Sequence, residues 1–180
     1  MTKPTALLIF ALLLSARAFA LDGFEKVKCG SDVPRALIGN RLSNERVVVI
    51  EGRHKDLGLK DLGGTEISDS LFLASWFICG TEYELLLASP HSVVRDVLPF
   101  PPHSIKSPEF IGDCEQDGRK LPDGFIGVMD NPLGMRPNSN RRLKPISAWR
   151  IDEIAVKFVP TSVDGLQCST AGFITVDGGW

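Results

Sequence analysis

Apolar residues run in short blocks between turn-forming residues along most of the chain, a pattern typical of β-strands. The most apolar block covers residues 75–87 and contains the single Tyr of the chain. We interpret this block as one long buried strand. A turn at residues 89–92 follows, and residues 93–98 then form the antiparallel partner of a hairpin.

The turn fixes a register for this hairpin, in which Ala88 lies opposite Val93 and Glu84 lies opposite Val97. By the two-residue period of a strand, the odd-numbered residues from 77 to 87 share one apolar face, and the even-numbered residues from 76 to 86 share the other. Arg95 falls beside Glu84 on the second face. Asp96 falls on the apolar face, and we expect its carboxylate to lie at the sheet margin or to be hydrogen-bonded.

The residues before the central block predict a mixture of elements. Residues 32–37 predict a short helix, capped by Ser31 or Asp32 and with Pro34 in its first turn. The β-branched residues 46–51 predict a strand, and residues 53–65 an ordered loop. Residues 68–74 fit either a capped helical turn or the start of the long strand.

Further along, Pro99, Pro101 and Pro102 must leave the sheet, so residues 99–103 form either a crossover or an exposed docking edge. Residues 110–114 and 124–129 predict a pair of strands around a turn at 116–118, and 131–145 a loop. A second hairpin pairs Ile151 with Val156 and Trp149 with Phe158. A loop at Gly165 and Cys168 and a last strand at 173–176 complete the chain.

These elements indicate a mainly β protein, with an α+β class as the alternative. We expect a single antiparallel barrel or sandwich of about seven short strands, with at most one or two short helices. Residues 21–180 show no shift in composition that would divide them into two domains.

Residues 1–20 have the features of a cleaved export signal. Lys3 provides the positive end, residues 6–16 are apolar, and Ala18-Phe19-Ala20 fits the A-x-A cleavage rule. Cleavage after Ala20 removes two basic residues, which leaves 18 basic against 22 acidic residues and a formal charge of −4. Without a clustered basic face, this composition argues against a nucleic-acid-binding protein. We also expect no membrane span after cleavage.

Four cysteines, Cys29, Cys79, Cys114 and Cys168, lie in the exported part, and an even number in an exported chain indicates two disulfides. The spacings contain no C-x-x-C, which disfavours zinc or thiol-redox chemistry. Of the three possible pairings, we favour Cys29 with Cys79 and Cys114 with Cys168. The absence of an N-x-S/T sequon is compatible with a bacterial periplasmic or secreted protein.

Motifs for catalysis are missing from the sequence. It has no H-E-x-x-H, G-x-S-x-G or S-x-x-K pattern and no phosphate-binding loop. We interpret His54, His91 and His103 as solvated loop histidines. Glu82 and Glu84 lie two apart on one predicted strand, as an acid and a base would, but an exposed strand face explains them better. Asp130 and Asp177 at strand ends would suit calcium, and equally turn capping. We expect no metal and no cofactor.

One loop has an unusual charge for an acidic protein. Arg136, Arg141, Arg142 and Lys144 place four cations in residues 136–144, which we call the cationic segment. Loops on a rigid β scaffold commonly carry recognition, and guanidinium groups suit carboxylates and other anions. A solvated charge cluster is the alternative interpretation.

The sequence therefore favours an exported, non-enzymatic binding or inhibitor-like protein, periplasmic or secreted. The partner would be an envelope or extracellular protein or an anionic ligand. Two alternatives stay open: a small secreted hydrolase whose site forms in space from Glu82, Glu84, Asp96 or His91, and a structural component of the envelope.

Overall fold

The structure is a computed structural model that describes residues 21–89, 92–101, 109–111, 114–121, 125–128 and 142–169. It is mainly β, with two short α-helices and a 3₁₀ turn at Lys55–Leu57. The predicted class is confirmed, although the described residues hold twelve strands rather than about seven. The helices are α1 (Val33–Leu37) and α2 (Val47–Arg53). The strands are β1 (Lys60–Ser68), β2 (Leu71–Ile78), β3 (Thr81–Ala88), β4 (Val93–Pro99), β5 (Glu109–Ile111), β6 (Cys114–Gln116), β7 (Arg119–Lys120), β8 (Phe125–Val128), β9 (Arg142–Leu143), β10 (Ser147–Asp152), β11 (Lys157–Thr161) and β12 (Leu166–Ser169).

The strands form three antiparallel four-stranded sheets. Sheet A has the order β1-β2-β3-β4, sheet B the order β11-β10-β8-β5, and sheet C the order β7-β6-β12-β9. Sheet A is a meander of consecutive hairpins, whereas sheets B and C interleave along the sequence. The three separate sheets are compatible with a sandwich-like arrangement, and the described strands do not close into one barrel.

The predicted long strand at residues 75–87 is wrong, because Cys79 and Gly80 break it into β2 and β3. Both residues have positive φ, 53° and 83°, as in the tight two-residue turns that reverse a hairpin. The Cys79 N–H donates to the carbonyl of Leu57 at 2.7 Å, which fixes the turn against the 3₁₀ segment. Phe77 consequently lies opposite Glu82, and Trp76 lies opposite Tyr83. The predicted division into odd and even faces therefore fails across the turn.

The hairpin of β3 and β4 begins in the predicted register, with Ala88 opposite Val93. A bulge then shifts the register by one residue, so that Leu86 lies opposite Asp96 and Glu84 opposite Leu98. Asp96 therefore lies on the face of Glu84 and Leu86 rather than on the face of Leu85. Its carboxylate accepts the Phe158 N–H at 2.8 Å, as expected of an inward carboxylate.

The predicted strand at residues 46–51 is also wrong, because this segment forms α2. Helical spacing places Val47 and Ile50 together in the hydrophobic cluster between sheet A and the N-terminal helices, which we call the first core, and Ile50 is buried there. The Glu51 carboxylate accepts the N–H of Asp61 at the start of β1, at 3.0 Å. These long-range contacts outweigh the low helix propensity of β-branched residues. α1, in contrast, is confirmed, with the Asp32 side chain accepting the Arg35 N–H.

The predictions for the surrounding residues had mixed outcomes. The segment 53–65 is an ordered loop only in part, because β1 starts at Lys60. Residues 68–74 contain the end of β1, a turn at Asp69 and Ser70, and the start of β2. Phe100 is buried and stacks on Trp149 of sheet B, with ring centroids 5.9 Å apart, which supports a crossover rather than an exposed docking edge.

Sheets B and C confirm some of the later predictions. β5 pairs with β8, as predicted for residues 110–114 and 124–129. The turn at Asp117 and Gly118 is also present, but it belongs to the β6–β7 hairpin of sheet C. The hairpin of β10 and β11 is present, but its pairing is shifted by two residues from the predicted register. Ile151 lies opposite Phe158 rather than opposite Val156. Cys168 lies on β12 rather than in a loop. Residues 173–176 lie outside the described residues.

Three clusters of buried side chains hold the sheets together. The first lies between sheet A and the N-terminal helices and includes Phe24, Leu37 and Trp76. The second joins sheets A and B through Leu73, Leu86 and their neighbours, including Ile151. The third is smaller and packs around Cys114, Cys168, Leu166 and Ala148. Sheet A is therefore covered on both faces.

Both favoured disulfide pairings are confirmed. Cys29 is joined to Cys79, which ties the N-terminal segment to the β2–β3 turn, and Cys114 is joined to Cys168 across β6 and β12. Each bridge closes a loop of about fifty residues, which is worth about 4 kcal/mol in the chain-entropy model. Two such bridges are compatible with an oxidising compartment. None of the helices in the described ranges is long and apolar enough to span a membrane.

Candidate functional site

The cationic segment enters sheet C at β9. Arg142 and Leu143 form this short strand, and Leu143 lies opposite Cys168, one half of the second disulfide. Lys144 follows directly, and its side chain is 62% exposed. Arg136 and Arg141 lie outside the described residues. The two described cations are therefore held at the edge of a disulfide-braced sheet.

Acidic side chains lie near both of these cations. Arg142 Nη1 is 3.4 Å from a carboxylate oxygen of Glu115 on β6. Lys144 Nζ is 3.9 Å from Asp164 Oδ1, and the Asp164 side chain is 92% exposed. Exposed pairs of this kind are worth about 0–1 kcal/mol. A competing anion of higher charge density would displace either carboxylate at small cost.

Glu82 and Glu84 lie on the same face of β3, as predicted, but Glu84 is not on an exposed face. Glu84 is only 1% exposed, and it accepts a hydrogen bond from the Ser75 hydroxyl at 2.7 Å across β2 and β3. The predicted pairing with Arg95 fails because the bulge moves Arg95 out of register. The Asp96 carboxylate accepts the N–H groups of Val97 and Phe158, so it joins β4 to β11. We assign Asp96 a structural role.

The histidines were predicted to be solvated, and for His54 this prediction is wrong. His54 caps the C-terminal end of α2, and its side chain is 12% exposed. Its Nε2 lies 2.9 and 3.0 Å from the two carboxylate oxygens of Asp22, which is fully buried. His91 and His103 lie outside the described residues, as do Asp130 and Asp177 of the proposed calcium site.

Asp22 is the centre of a polar cluster that sequence reasoning missed. Besides His54, its carboxylate accepts the Phe24 N–H at 3.1 Å and a hydrogen bond from Arg53, which also pairs with Glu45. We call Asp22, Glu45, Arg53 and His54 the Asp22 cluster. Phe24 fixes its position, because the buried Phe24 ring packs on Trp76 with centroids 4.9 Å apart.

The electrostatics of this cluster favour a charged carboxylate. Burial alone would raise the pKa of Asp22, but the hydrogen bonds from Phe24, Arg53 and His54 outweigh it and hold the pKa below its ordinary value. The bond to Glu45, followed by that to Asp22, raises the pKa of Arg53. Both ions therefore stay charged at neutral pH. The cluster connects the N-terminal segment to the end of α2.

A carboxylate and an imidazole in contact could transfer protons, but this pair is engaged in structural contacts. The other hydrogen-bond donors to Asp22 are the Phe24 backbone and the Arg53 guanidinium. Across the ranges that the structure describes, no group of three or more His, Cys, Asp or Glu side chains is arranged to hold a metal ion. No sequence motif marked the cluster, because Asp22 and His54 are 32 positions apart.

Comparisons with known proteins bring no functional information: no family model, no curated protein and no solved structure matches the chain.

Proposed function

We propose that the protein is an exported, non-enzymatic binding domain and that the cationic segment binds an anionic partner, either a protein carboxylate cluster or another anionic ligand. The observation that carries the proposal is the position of β9. Leu143 lies opposite Cys168, so β9 pairs with the strand that the Cys114–Cys168 disulfide joins to β6.

The local geometry favours recognition at this edge for two reasons. The disulfide-braced strand lowers the conformational entropy that binding would otherwise cost at Arg142 and Lys144. Their present partners, Glu115 and Asp164, are held in weak surface pairs that an anionic partner can replace. Arginine adds two parallel donors, which suits carboxylate, sulfate or phosphate groups.

Charge reversal at the segment tests the proposal, and sheet C offers a matched control. The test variant is Arg142→Glu/Lys144→Glu, which reverses one charge on β9 and one directly after it, alone and combined with Arg136→Glu/Arg141→Glu. The control is Arg119→Glu/Lys120→Glu, two exposed residues of β7 at the opposite edge of the same sheet.

The protein is immobilised and used to capture material from the native envelope and culture medium, with retention on heparin as a defined anionic probe. We expect the test variants to keep a melting temperature within about 2 °C of the wild type, because surface substitutions change stability by about 0.5 kcal/mol or less. Capture should weaken at least about tenfold, since two attractive pairs become repulsive. Full capture by the fourfold variant, or equal losses in the control, would contradict the assignment.

A second candidate, a small secreted hydrolase, is favoured by one observation. The Ser75 hydroxyl donates to the buried Glu84 carboxylate, and Glu82 lies on the same strand face. A hydroxyl activated by a carboxylate is a possible nucleophile. Hydrolysis of p-nitrophenyl esters by the wild type, lost in Ser75→Ala and Glu84→Gln, would support this candidate over the binding domain. If the protein stayed bound to the envelope when cells are fractionated, a structural component of the envelope would be favoured instead.

A further inference from the structure

The two disulfides differ in how far solvent reaches them. Cys29 is exposed and Cys79 is half-buried, and we call their disulfide the exposed bridge. Cys114 and Cys168 are only 1% and 0% exposed, and we call their disulfide the buried bridge. An external thiolate opens a disulfide by attacking one of its sulfur atoms, so the rate depends on access. The exposed bridge is therefore the one that such a thiolate can reach while the protein is folded.

Glycines leave the space beside the exposed bridge open. Gly30 follows Cys29, and Gly80 follows Cys79. A Cβ atom added at either glycine would meet no atom within 4 Å, its chain neighbours apart. Both glycines also have a φ of 83°, a conformation that other residues adopt only with strain. The position after each cysteine therefore carries no side chain that would hinder an approaching reductant.

The 3₁₀ turn at Lys55–Leu57 contacts both cysteines of the exposed bridge. The Leu57 carbonyl accepts the Cys79 N–H at 2.7 Å, and the Asp56 carbonyl oxygen lies 3.7 Å from Cys29 Sγ. A disulfide sulfur has no proton to donate, whereas a thiol is a weak donor. The Asp56 carbonyl can therefore accept a hydrogen bond from Cys29 only when the bridge is open, and this bond stabilises the reduced form.

Other contacts hold the N-terminal segment in place without the exposed bridge. The buried Phe24 ring packs on Trp76 of sheet A, with centroids 4.9 Å apart, and Val27 is buried in the same first core. The Asp22 cluster connects the segment to the end of α2. After reduction, the two thiols would therefore stay close to each other against the 3₁₀ turn. Opening of this bridge is local, and the thiols are placed to form it again.

From these features we propose that the exposed bridge is a site of reversible thiol–disulfide exchange with a dithiol, either a small molecule or the C-x-x-C pair of a redox protein. A thiolate of the dithiol attacks the exposed Cys29 Sγ, forms a mixed disulfide and releases Cys79 as a thiolate. The second thiol of the dithiol then attacks its partner sulfur in the mixed disulfide and releases Cys29.

The exchange is balanced in electrons and protons. Two electrons pass from the dithiol to the exposed bridge, so the dithiol becomes a disulfide and the bridge becomes two thiols. The two protons of the dithiol end on Cys29 and Cys79. The reduced protein then has an N-terminal segment that is no longer covalently joined to the β2–β3 turn. This site is separate from the cationic segment, because β2 and β3 belong to sheet A and β9 to sheet C.

Timed reduction of the folded, oxidised protein tests the proposal. The protein is incubated with dithiothreitol or with reduced thioredoxin, samples are trapped with iodoacetamide, and the alkylated cysteines are identified by peptide mass spectrometry. The buried bridge is the internal control. The same reaction with dithiothreitol in guanidinium chloride is the second control, because unfolding makes both bridges accessible. A thioredoxin variant that lacks its second cysteine traps the mixed disulfide and identifies the sulfur that is attacked.

We expect the exposed bridge to open at least about tenfold faster than the buried bridge in the folded protein, and the two rates to become similar in guanidinium chloride. The species alkylated only at Cys29 and Cys79 should keep the near-ultraviolet circular dichroism of the oxidised protein. Without alkylation, removal of the dithiol and addition of oxidised glutathione should restore the bridge. Faster opening by thioredoxin than by dithiothreitol at equal concentration assigns a protein dithiol, and the reverse order assigns a small one.

Several results would overturn the proposal. They are equal opening rates for the two bridges in the folded protein, no opening of the exposed bridge by either dithiol, and loss of the near-ultraviolet signal when this bridge alone is open. The last result would mean that reduction unfolds the protein rather than opening a local site. A mixed disulfide trapped at Cys79 instead of Cys29 would contradict the first step of the exchange.

Discussion

Replacing Asp22 by Asn should destabilise the protein strongly, although the two side chains have nearly the same shape. Asp22 is fully buried, and its carboxylate receives hydrogen bonds from Phe24, Arg53 and His54. An asparagine side chain keeps one acceptor oxygen, but it points an amide N–H₂ group at donors and removes the charge opposite Arg53. The N-terminal segment then loses the carboxylate that connects it to Arg53 and His54 at the end of α2.

The size of the effect follows from the charges and their exposure. Removing one partner of a buried ion pair costs about 3–5 kcal/mol. Arg53 is 29% exposed and keeps Glu45 as a partner, which places the expected loss near the lower limit, about 3 kcal/mol. For a domain of this size, that loss lowers the melting temperature by roughly 6–12 °C. Asp69→Asn, at an exposed turn position, is the control and should change stability by about 0.5 kcal/mol or less.

The loss should also depend on pH, because the pKa of Asp22 is held below its ordinary value of 3.8. A carboxylate whose pKa is lowered by folding contributes its full stabilisation at pH values above its pKa in the unfolded chain. This contribution is lost as the pH falls through its pKa in the folded protein. Urea unfolding of the wild type and Asp22→Asn should therefore differ by about 3 kcal/mol at pH 7. The two should converge below about pH 3.8. A difference under about 1 kcal/mol at pH 7, or one that is constant down to pH 2, would refute the assignment of Asp22.

Three further changes have defined outcomes. Cys29→Ala/Cys79→Ala should lose about 4 kcal/mol in urea unfolding, since the bridge closes a loop of 50 positions, and a loss under about 1 kcal/mol would contradict the entropic account. Gly64→Ala should cost about 1–3 kcal/mol, because the added Cβ would collide with the Leu73 carbonyl; unchanged thermal unfolding would show that β1 yields there. Ser75→Ala should cost about 1.5–3 kcal/mol in the same assay by removing the hydroxyl that donates to Glu84, and a neutral result would contradict that hydrogen bond.

The sequence was informative where local signals agreed with the final contacts. Asp32 before Val33 and Pro34 predicted the start of α1, and Asp117-Gly118 predicted a tight turn. The even number of cysteines predicted the disulfides. The mainly β class was predicted from short apolar blocks, because that inference does not require knowing which residues pair between strands.

The errors occurred where distant residues decide the local conformation. Cys79 adopts positive φ in a turn whose preferred residues are Asn or Asp, and its bonds to Cys29 and Leu57 hold it there. Val47 and Ile50 form a helix because the first core receives them at helical spacing. Neither contact could be predicted from the local pattern.

The candidate sites show the same division. The cationic segment was visible as a run of basic residues, because charge clustering needs no tertiary structure. The Asp22 cluster gave no local signal, because its carboxylate and the His54 imidazole are 32 positions apart in the sequence.

The central proposal is that the protein is exported, and that the two disulfides Cys29–Cys79 and Cys114–Cys168 then cross-link its folded chain. Intact mass spectrometry of native material, alkylated with iodoacetamide under denaturing conditions without reductant, tests this most directly. We predict a chain that begins at Leu21, carries no alkyl group, and gains four only after reduction. A mass that includes residues 1–20, or four alkylated cysteines before reduction, would contradict the claim and remove the basis of the binding proposal.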